Sequence, residues 1–328
     1  MTRMIAGRAV HPVGLGCMVL SHAYGTPPDR EAAGRLLNEA LDLGYDHLDT
    51  AALYGFGANE TLIGETIAHR RDEYFLASKC GMTGVDGKRV IDGRPETLRK
   101  TIDEALTRLK TDRIDLYYLH RWDKAVPIEE SVGELAHMVE AGKILSIGLS
   151  EVSAGTLRKA YAVHPIAAVQ NEYSLWSRNA ELGVLEATRE LGAALVAFSP
   201  LARGFLAGGV LSVEALPQGD IRRTMPRFQG ENFTRNQALL AEFTAIAADL
   251  DATPAQLCLR WLADRGPHVV TIPGTTSPAH LRENLASDLA PLPTAVADTL
   301  DQLFLPQAIA GPRYPAATLV EIDTEEFA

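Results

Sequence analysis

The chain has 328 residues, 46% of them hydrophobic, and a formal net charge of −11. That is enough apolar material for one large core, and α/β barrels commonly reach this length as one unit, so a single domain over residues 1–328 is expected. So acidic a surface repels phosphate backbones and anionic bilayers, and no apolar run nears the ~18 residues of a membrane span, so neither nucleic acid nor a membrane is an expected partner.

The first strand expected is Val13–Cys17. Ahead of it, Gly7, His11, Pro12 and Gly14 interrupt the continuous apolar core that a signal peptide needs. Cys17, Cys80 and Cys258 are odd in number and far apart, which suggests neither a disulfide framework nor a zinc knuckle and fits a reducing cytoplasm. No HExxH or paired-cysteine spacing occurs, so no metal is expected. After Gly14-Leu15-Gly16 come Cys17, Met18 and Val19; the third glycine of a dinucleotide fingerprint is missing, which argues against a Rossmann domain.

Further β-rich runs follow at Asp46–Thr50, Tyr74–Lys79, Asp115–His120, Ile144–Ser150, Ala167–Tyr173, Ala194–Ser199 and Val269–Pro273. Amphipathic stretches separate them; Leu36, Leu37, Ala40 and Leu41, for instance, form one apolar stripe. Thr253, Pro254 and Gln256 spell a capping box, Ser277-Pro278 opens another helix, and helical periodicity stops near Gly142, Gly192 and Gly266. Eight such βα units predict a closed (β/α)8 barrel, a TIM barrel. A glycine- and arginine-rich loop from Pro200 to about Arg235 follows the seventh strand, too long for a simple connection and so a functional candidate. The tail after Leu305 is irregular, and its acidic end reads as a solvated terminus.

In a barrel the C-terminal strand ends surround one pocket. Asp49, Lys79 and His120 end the second, third and fourth strands, and Tyr54 lies in the loop after the second. Each type is more often structural when met alone; their joint placement makes a proton-relay site. Beside a lysine ammonium a tyrosine is expected to ionise below its free pKa of ~10, and Asp49 would hold the lysine. Such a phenol can protonate a carbonyl oxygen, an effect typically worth ~10²–10⁴ in rate. No side chain delivers hydride, so a nicotinamide cofactor is implied. His11, His22, His69, His137, His164 and His268 read as surface or capping residues.

The strings Leu48-Asp49-Thr50-Ala51 with Tyr54-Gly55, Ala77-Ser78-Lys79, Asp115 to His120, Gly148-Leu149-Ser150, Gln170 to Ser174 and Phe198-Ser199-Pro200-Leu201 together resemble the aldo-keto reductases over nearly the whole chain. The stretches Pro226–Phe233 and Gly311–Pro315 are similar to a bacterial and plant branch acting on pyridoxal-like and indole-alkaloid aldehydes, itself related to potassium-channel β-subunits.

The resemblance implies a barrel that binds NADPH and reduces an aldehyde or ketone, with Tyr54 as acid, Lys79 and Asp49 tuning it and His120 placing the substrate. It implies that Ser150 and Gln170 hold the nicotinamide carboxamide and that Phe198 stacks on the ring, with Ser199, Pro200, Leu201, Arg203 and Gly204 continuing the cofactor site. Glu151 stands where an asparagine is frequent. Gly274, Thr275, Thr276, His280, Glu283 and Asn284 match the site for the adenosine 2′-phosphate and adenine. No reliably charged base occupies the matching positions, so NADH is a second expected cofactor. Met18, Tyr24, Trp122 and Trp176 are candidates for the substrate pocket, whose aromatics suggest an aromatic or alicyclic carbonyl. A monomer or homo-oligomer is expected. The alternative from the same resemblance is a slow, nicotinamide-redox-sensing regulatory subunit.

Overall fold

Two short antiparallel strands, β1 (Arg3–Ile5) and β2 (Arg8–Val10), precede the first strand of the central sheet, β3 (Leu15–Gly16). The sheet continues with β4 (His47–Asp49) and β5 (Phe75–Cys80); an antiparallel hairpin of β6 (Met82–Val85) and β7 (Lys88–Ile91) intervenes before β8 (Leu116–Leu119). Then come β9 (Ile147–Ser150), β10 (Ile166–Glu172), β11 (Ala194–Phe198) and β12 (Val269–Thr271). The computed structural model describes residues 2–85 and 87–327.

The eight strands pair in parallel in the order β12-β11-β10-β9-β8-β5-β4-β3. A parallel bridge between Val13 and Thr271 joins the two edges, with Gly14 N donating to Thr271 O at 2.8 Å and Thr271 N to Pro12 O at 2.9 Å. The expected (β/α)8 barrel is therefore closed, and among the described residues its central sheet has no free edge. Two strands are shorter than the sequence suggests: Val13–Cys17 reduces to Leu15–Gly16, and Ile144 contributes only a bridge ahead of β9.

Helices α1 (Arg30–Leu43), α2 (Ala58–Ile67), α3 (Pro95–Leu109), α4 (Ile128–Glu140), α5 (Ala154–Tyr161) and α6 (Val184–Leu191) return the chain between strands. Helices α7 (Gly230–Asp249) and α8 (Pro254–Ala263) separate β11 from β12, and α9 (Pro278–Leu285), α10 (Thr294–Leu303) and α11 (Ala316–Leu319) follow. Local chemistry sets their ends. Asp29 caps α1 by accepting from Ala32 N, and Gly44 stops it with φ 102°. Thr253 and Gln256 make the expected reciprocal capping box on α8, Ser277 caps α9, and Gly192 ends α6 at φ 70°.

Strand parity decides what faces the axis. Phe75 and Ala77 of β5, Leu116 and Tyr118 of β8, Ala168 of β10, and Ala194 and Val196 of β11 pack together inside the barrel, while Leu76, Leu119, Val169 and Leu195 face the helices. Ile5 and Val10 of the first hairpin join the inner cluster and close the barrel floor. Extending the same alternation to the C-terminal ends brings Asp49, Lys79, His120, Ser150, Gln170 and Phe198 to the inward positions. Gly148 is fixed by this packing: a Cβ there would lie 2.3 Å from the Tyr118 ring.

The acidic tail is a correction. Expected as solvated, it is docked on the barrel rim: Asp323 Oδ2 accepts from Ser153 N and Oγ at 3.1 and 2.9 Å. Glu325 accepts from Ala154 N at 2.8 Å. The amides and the positive end of α5 recruit these carboxylates. Among the described residues no helix is long and apolar enough to cross a membrane.

Candidate active site

The loop after β4 is built to turn back over the barrel. Gly55, Phe56 and Gly57 have φ of 58°, 51° and 92°, three successive left-handed residues directly after Tyr54. Such a run is costly at the non-glycine Phe56 and persists only where surroundings fix it. Asn59, fully buried, does part of this: Thr50 Oγ1 donates to its Oδ1 at 2.6 Å, and its Nδ2 donates to Cys17 O at 2.9 Å. Neighbouring Glu60, also fully buried, accepts from Ser78 Oγ at 2.5 Å and from Arg108 Nε at 2.8 Å. These supports were not singled out in the sequence, although both lie within six residues of Tyr54.

Tyr54, Asp49, Lys79 and His120 meet at the C-terminal mouth. Lys79, with no exposed surface, pairs with Asp49 Oδ1. Its Nζ also donates to Thr50 O at 2.8 Å and to Tyr54 Oη at 3.2 Å. Burial alone would lower the lysine's pKa, but Asp49 and Tyr54 outweigh it and hold the ammonium charged. For Tyr54 the balance runs against the sequence expectation: burial raises its pKa more than Lys79 lowers it, so the phenol keeps its proton. His120 lies edge-on to Tyr54, ring centroids 5.9 Å apart. Burial, then Lys79 and Arg121, push its pKa well below the ordinary histidine value, so the ring is neutral and carries one N–H to donate.

These groups open on a cavity of about 650 Å³. Its wall includes Asp49, Tyr54, His120, Ser150, Gln170, Phe198, Ser199, Pro200, Leu201, Arg203, Gly204 and Gly274, and also Met18 and Tyr24. Lys79 sits beneath, reaching the cavity through Tyr54. Gln170 Nε2 donates to Asp49 Oδ2 at 2.7 Å. Glu151 points away from the cavity: its Oε1 accepts from Glu172 N at 2.8 Å, and its Oε2 faces Arg313 Nη1 at 3.4 Å. Arg203 lines the wall while pairing with Glu172 at 2.8 Å and donating to Tyr24 Oη at 2.9 Å.

Two expected pocket residues lie elsewhere. Trp176 stacks on Phe205 at 4.6 Å, inside an aromatic cluster with Phe228. Trp122 donates from Nε1 to Val126 O at 2.9 Å and packs on the outer core. Thr275, Thr276, His280, Glu283 and Asn284 are not on the cavity wall; they continue beyond Gly274 into α9, with Thr275 and Asn284 buried and Thr276 and His280 exposed. Conversely, His22, read as a surface or capping residue, is half-buried on the wall, its ring 5.5 Å from that of Tyr54. Arg89, Arg121, Arg222 and Tyr314 also line the cavity and were not singled out as pocket residues. For Arg121 the available signal was its place directly after His120.

The long loop after β11 roofs this space. Ser199, Ala202 and Arg203 have φ of 51°, 51° and 58°, and Gly204 has 84°, so the chain coils tightly as it leaves the strand. It then crosses to the loop after β3, where Ile221 N donates to Ala23 O at 3.0 Å and Gly25 N donates to Asp220 Oδ2 at 2.7 Å. Arg203, Gly204, Ile221 and Arg222 of this segment line the cavity.

Comparison with known proteins agrees with this architecture. The model of the aldo/keto reductase family matches residues 12–304. The chain is 41% identical to aldo-keto reductase yakc (NADP+) of Schizosaccharomyces pombe, covering 98% of this chain and 97% of the relative. It is 42% identical to probable aldo-keto reductase 1 of Glycine max, covering 86% and 82%. Among solved structures, a glycerol dehydrogenase from Gluconobacter oxydans superposes with a TM-score of 0.84 at 29% identity, covering 96% of this chain and 98% of that one. A closed eight-stranded barrel, a tyrosine–lysine–aspartate–histidine mouth and near full-length relatives lead to one conclusion: the chain belongs to the aldo/keto reductase family.

Proposed function

We propose that this protein is an oxidoreductase that reduces an aldehyde or ketone to an alcohol with NADPH, and NADH as a second cofactor, through Tyr54 as proton donor. The observation that carries the reading is the 3.2 Å hydrogen bond from buried Lys79 Nζ to Tyr54 Oη, beside a neutral His120, on a cavity of about 650 Å³.

The residues present suit a nicotinamide nucleotide. Ser150 and Gln170 offer hydroxyl and amide groups at one end of the cavity and Phe198 an aromatic face. The left-handed residues Ala202, Arg203 and Gly204, with Arg203 and Arg222 on the same wall, suit a pyrophosphate. Thr275, Thr276 and Ser277 at the capped start of α9 suit a further phosphate. NADPH is favoured by the NADP+ designation of the fission-yeast relative. When bound, the nicotinamide supplies the hydride that reaches the carbonyl carbon.

The side chains then perform the proton chemistry. His120 donates its N–H to the carbonyl oxygen and orients it. Tyr54 Oη gives up its proton to that oxygen as negative charge develops, and Lys79 stabilises the phenolate left behind, with Asp49 holding the ammonium in place. Run backwards, the same groups oxidise an alcohol. The test is steady-state oxidation of NADPH, and separately NADH, over a panel of aldehydes and ketones, for the native protein and Tyr54→Phe. A loss of about 10²–10⁴ in turnover with cofactor binding retained is expected. Full activity of the variant would sink the assignment of Tyr54, and tight cofactor binding without turnover on any carbonyl would favour a redox-sensing subunit instead.

A further inference from the structure

The catalytic end of the cavity contains a guanidinium that the proton relay does not use. Arg121, two residues past the end of β8, is only 9% exposed and lies on the cavity wall beside His120 and Ser150. Its Nη1 donates to its neighbour's backbone, His120 O, at 2.7 Å and to Ser150 Oγ at 3.3 Å. Its Nε is buried with no hydrogen-bond partner. Among the described residues no carboxylate pairs with it, whereas the other guanidiniums on this wall, those of Arg89, Arg203 and Arg222, are each matched by Glu321, Glu172 or Asp220. A buried charge left without a counter-ion is costly, so its retention in a reaction cavity points to an anion supplied from outside.

We infer that Arg121 is a specificity-determining residue, and that the protein takes carbonyl substrates bearing a carboxylate, which pairs with Arg121 while the carbonyl meets Tyr54 and His120. The inference rests on the reductase reading above. Position supports it: Arg121 stands at the Tyr54 and His120 end, and its charge acts on both, as does that of Arg89 on His120. Among the described residues, Arg121 thus leaves one positive charge without a carboxylate partner at the catalytic end of a chain of net charge −11. An anionic substituent close to the reacting carbonyl finds attraction there, and the apolar wall of Met18, Leu53 and Met82 accommodates the rest of the molecule.

The experiment compares kcat/KM, with NADPH, for aldehydes that carry either a free carboxylate or its uncharged methyl ester: glyoxylic acid, with the carboxylate beside the carbonyl, and 4-carboxybenzaldehyde, with it across the ring, each against its ester. The native protein is expected to prefer the carboxylates by about ten- to a hundred-fold, the worth of one charge-assisted pair. Arg121→Met is expected to abolish that preference, read as a ratio so that any general loss cancels, and Arg121→Lys to keep part of it. Ester turnover equal to or better than acid turnover in the native protein overturns the inference alone, without needing any variant to fold. An unchanged ratio in Arg121→Met also overturns it and leaves Arg121 as a positioning residue for Ser150. Absence of turnover with every aldehyde sinks the reductase reading and this inference with it.

Discussion

Gln170 and Lys79 grip Asp49 from opposite sides: the glutamine amide donates to Oδ2 at 2.7 Å, while Oδ1 takes the lysine ammonium. The carboxylate is thereby fixed in orientation by two strands of the barrel, β5 and β10, that are not neighbours in the sheet. Asp49 consequently sets where Lys79 Nζ stands and, through it, where the Tyr54 hydroxyl points.

Replacing Asp49 with Asn removes the counter-charge and leaves the fully buried Lys79 ammonium uncompensated. Breaking a buried pair this way costs roughly 3–5 kcal/mol, so a large drop in unfolding free energy by urea titration is expected, together with a lowered lysine pKa and loss of carbonyl reduction. A variant of native stability would show that Thr50 O and Tyr54 Oη alone satisfy the ammonium.

The raised pKa of Tyr54 gives a signed pH dependence. Burial, the larger effect, keeps the phenol protonated against the pull of Lys79. The proton donor is therefore present throughout the neutral range and is lost only as pH rises through the folded value, above the free phenol's ~10. Reductive kcat/KM should be level around neutrality with an alkaline limb, and Lys79→Met, by deleting the opposing cation, should lower the plateau and move that limb upward. A native limb centred near neutrality would contradict the arrangement.

Glu172 links the roofing loop to the tail. It pairs with Arg203 at 2.8 Å and Arg313 at 3.9 Å and accepts from Ser177 Oγ at 2.9 Å. Burial would raise its pKa, but Arg203, Arg313 and Arg227 outweigh that and hold it below the usual value. Its stabilising contribution is present above the unfolded carboxyl pKa of ~4.3 and is lost as pH falls through the lower folded value. Glu172→Gln is expected to cost about 3–5 kcal/mol at neutral pH and to converge with the native protein in acid, which denaturation curves at several pH values would check.

Most of the candidate site residues that could be read from sequence lie at strand ends; Tyr54, in the loop after β4, is the exception among the proton-relay groups. Asp49, Lys79, His120, Ser150 and Phe198 could be placed because period-two alternation and βα counting locate strand ends without long-range information. What escaped depends on contacts between distant segments. The three-residue strands β1 and β2 carry too little pattern to be seen, yet Ile5 and Val10 plug the barrel. Trp176 leaves the pocket because Phe205 and Phe228, from the loop after β11, stack around it. The acidic tail is ordered because the open amides of α5 lie where it passes. The Tyr54 pKa was misjudged because a neighbouring cation is visible in sequence and the depth of burial is not.

The hairpin of β6 and β7 gives the last expectation. A Cβ on Gly84 would lie 2.1 Å from Phe56 Cδ1, a separation no structure tolerates. Phe56 is 58% exposed, so its ring can swing into solvent instead of forcing the backbone apart. Gly84→Ala should therefore change stability by less than about 1 kcal/mol, in the range of surface substitutions. Function should respond more, because Phe56 lines the cavity mouth two residues after Tyr54, in the left-handed run that aims the hydroxyl. The expected result is a raised KM for bulky carbonyls with a smaller change in kcat, and little further effect when Gly84→Ala is added to Phe56→Ala, since the two act through one contact. Additive losses in that double-mutant cycle would mean that Gly84 serves the hairpin itself and not the wall that Phe56 provides.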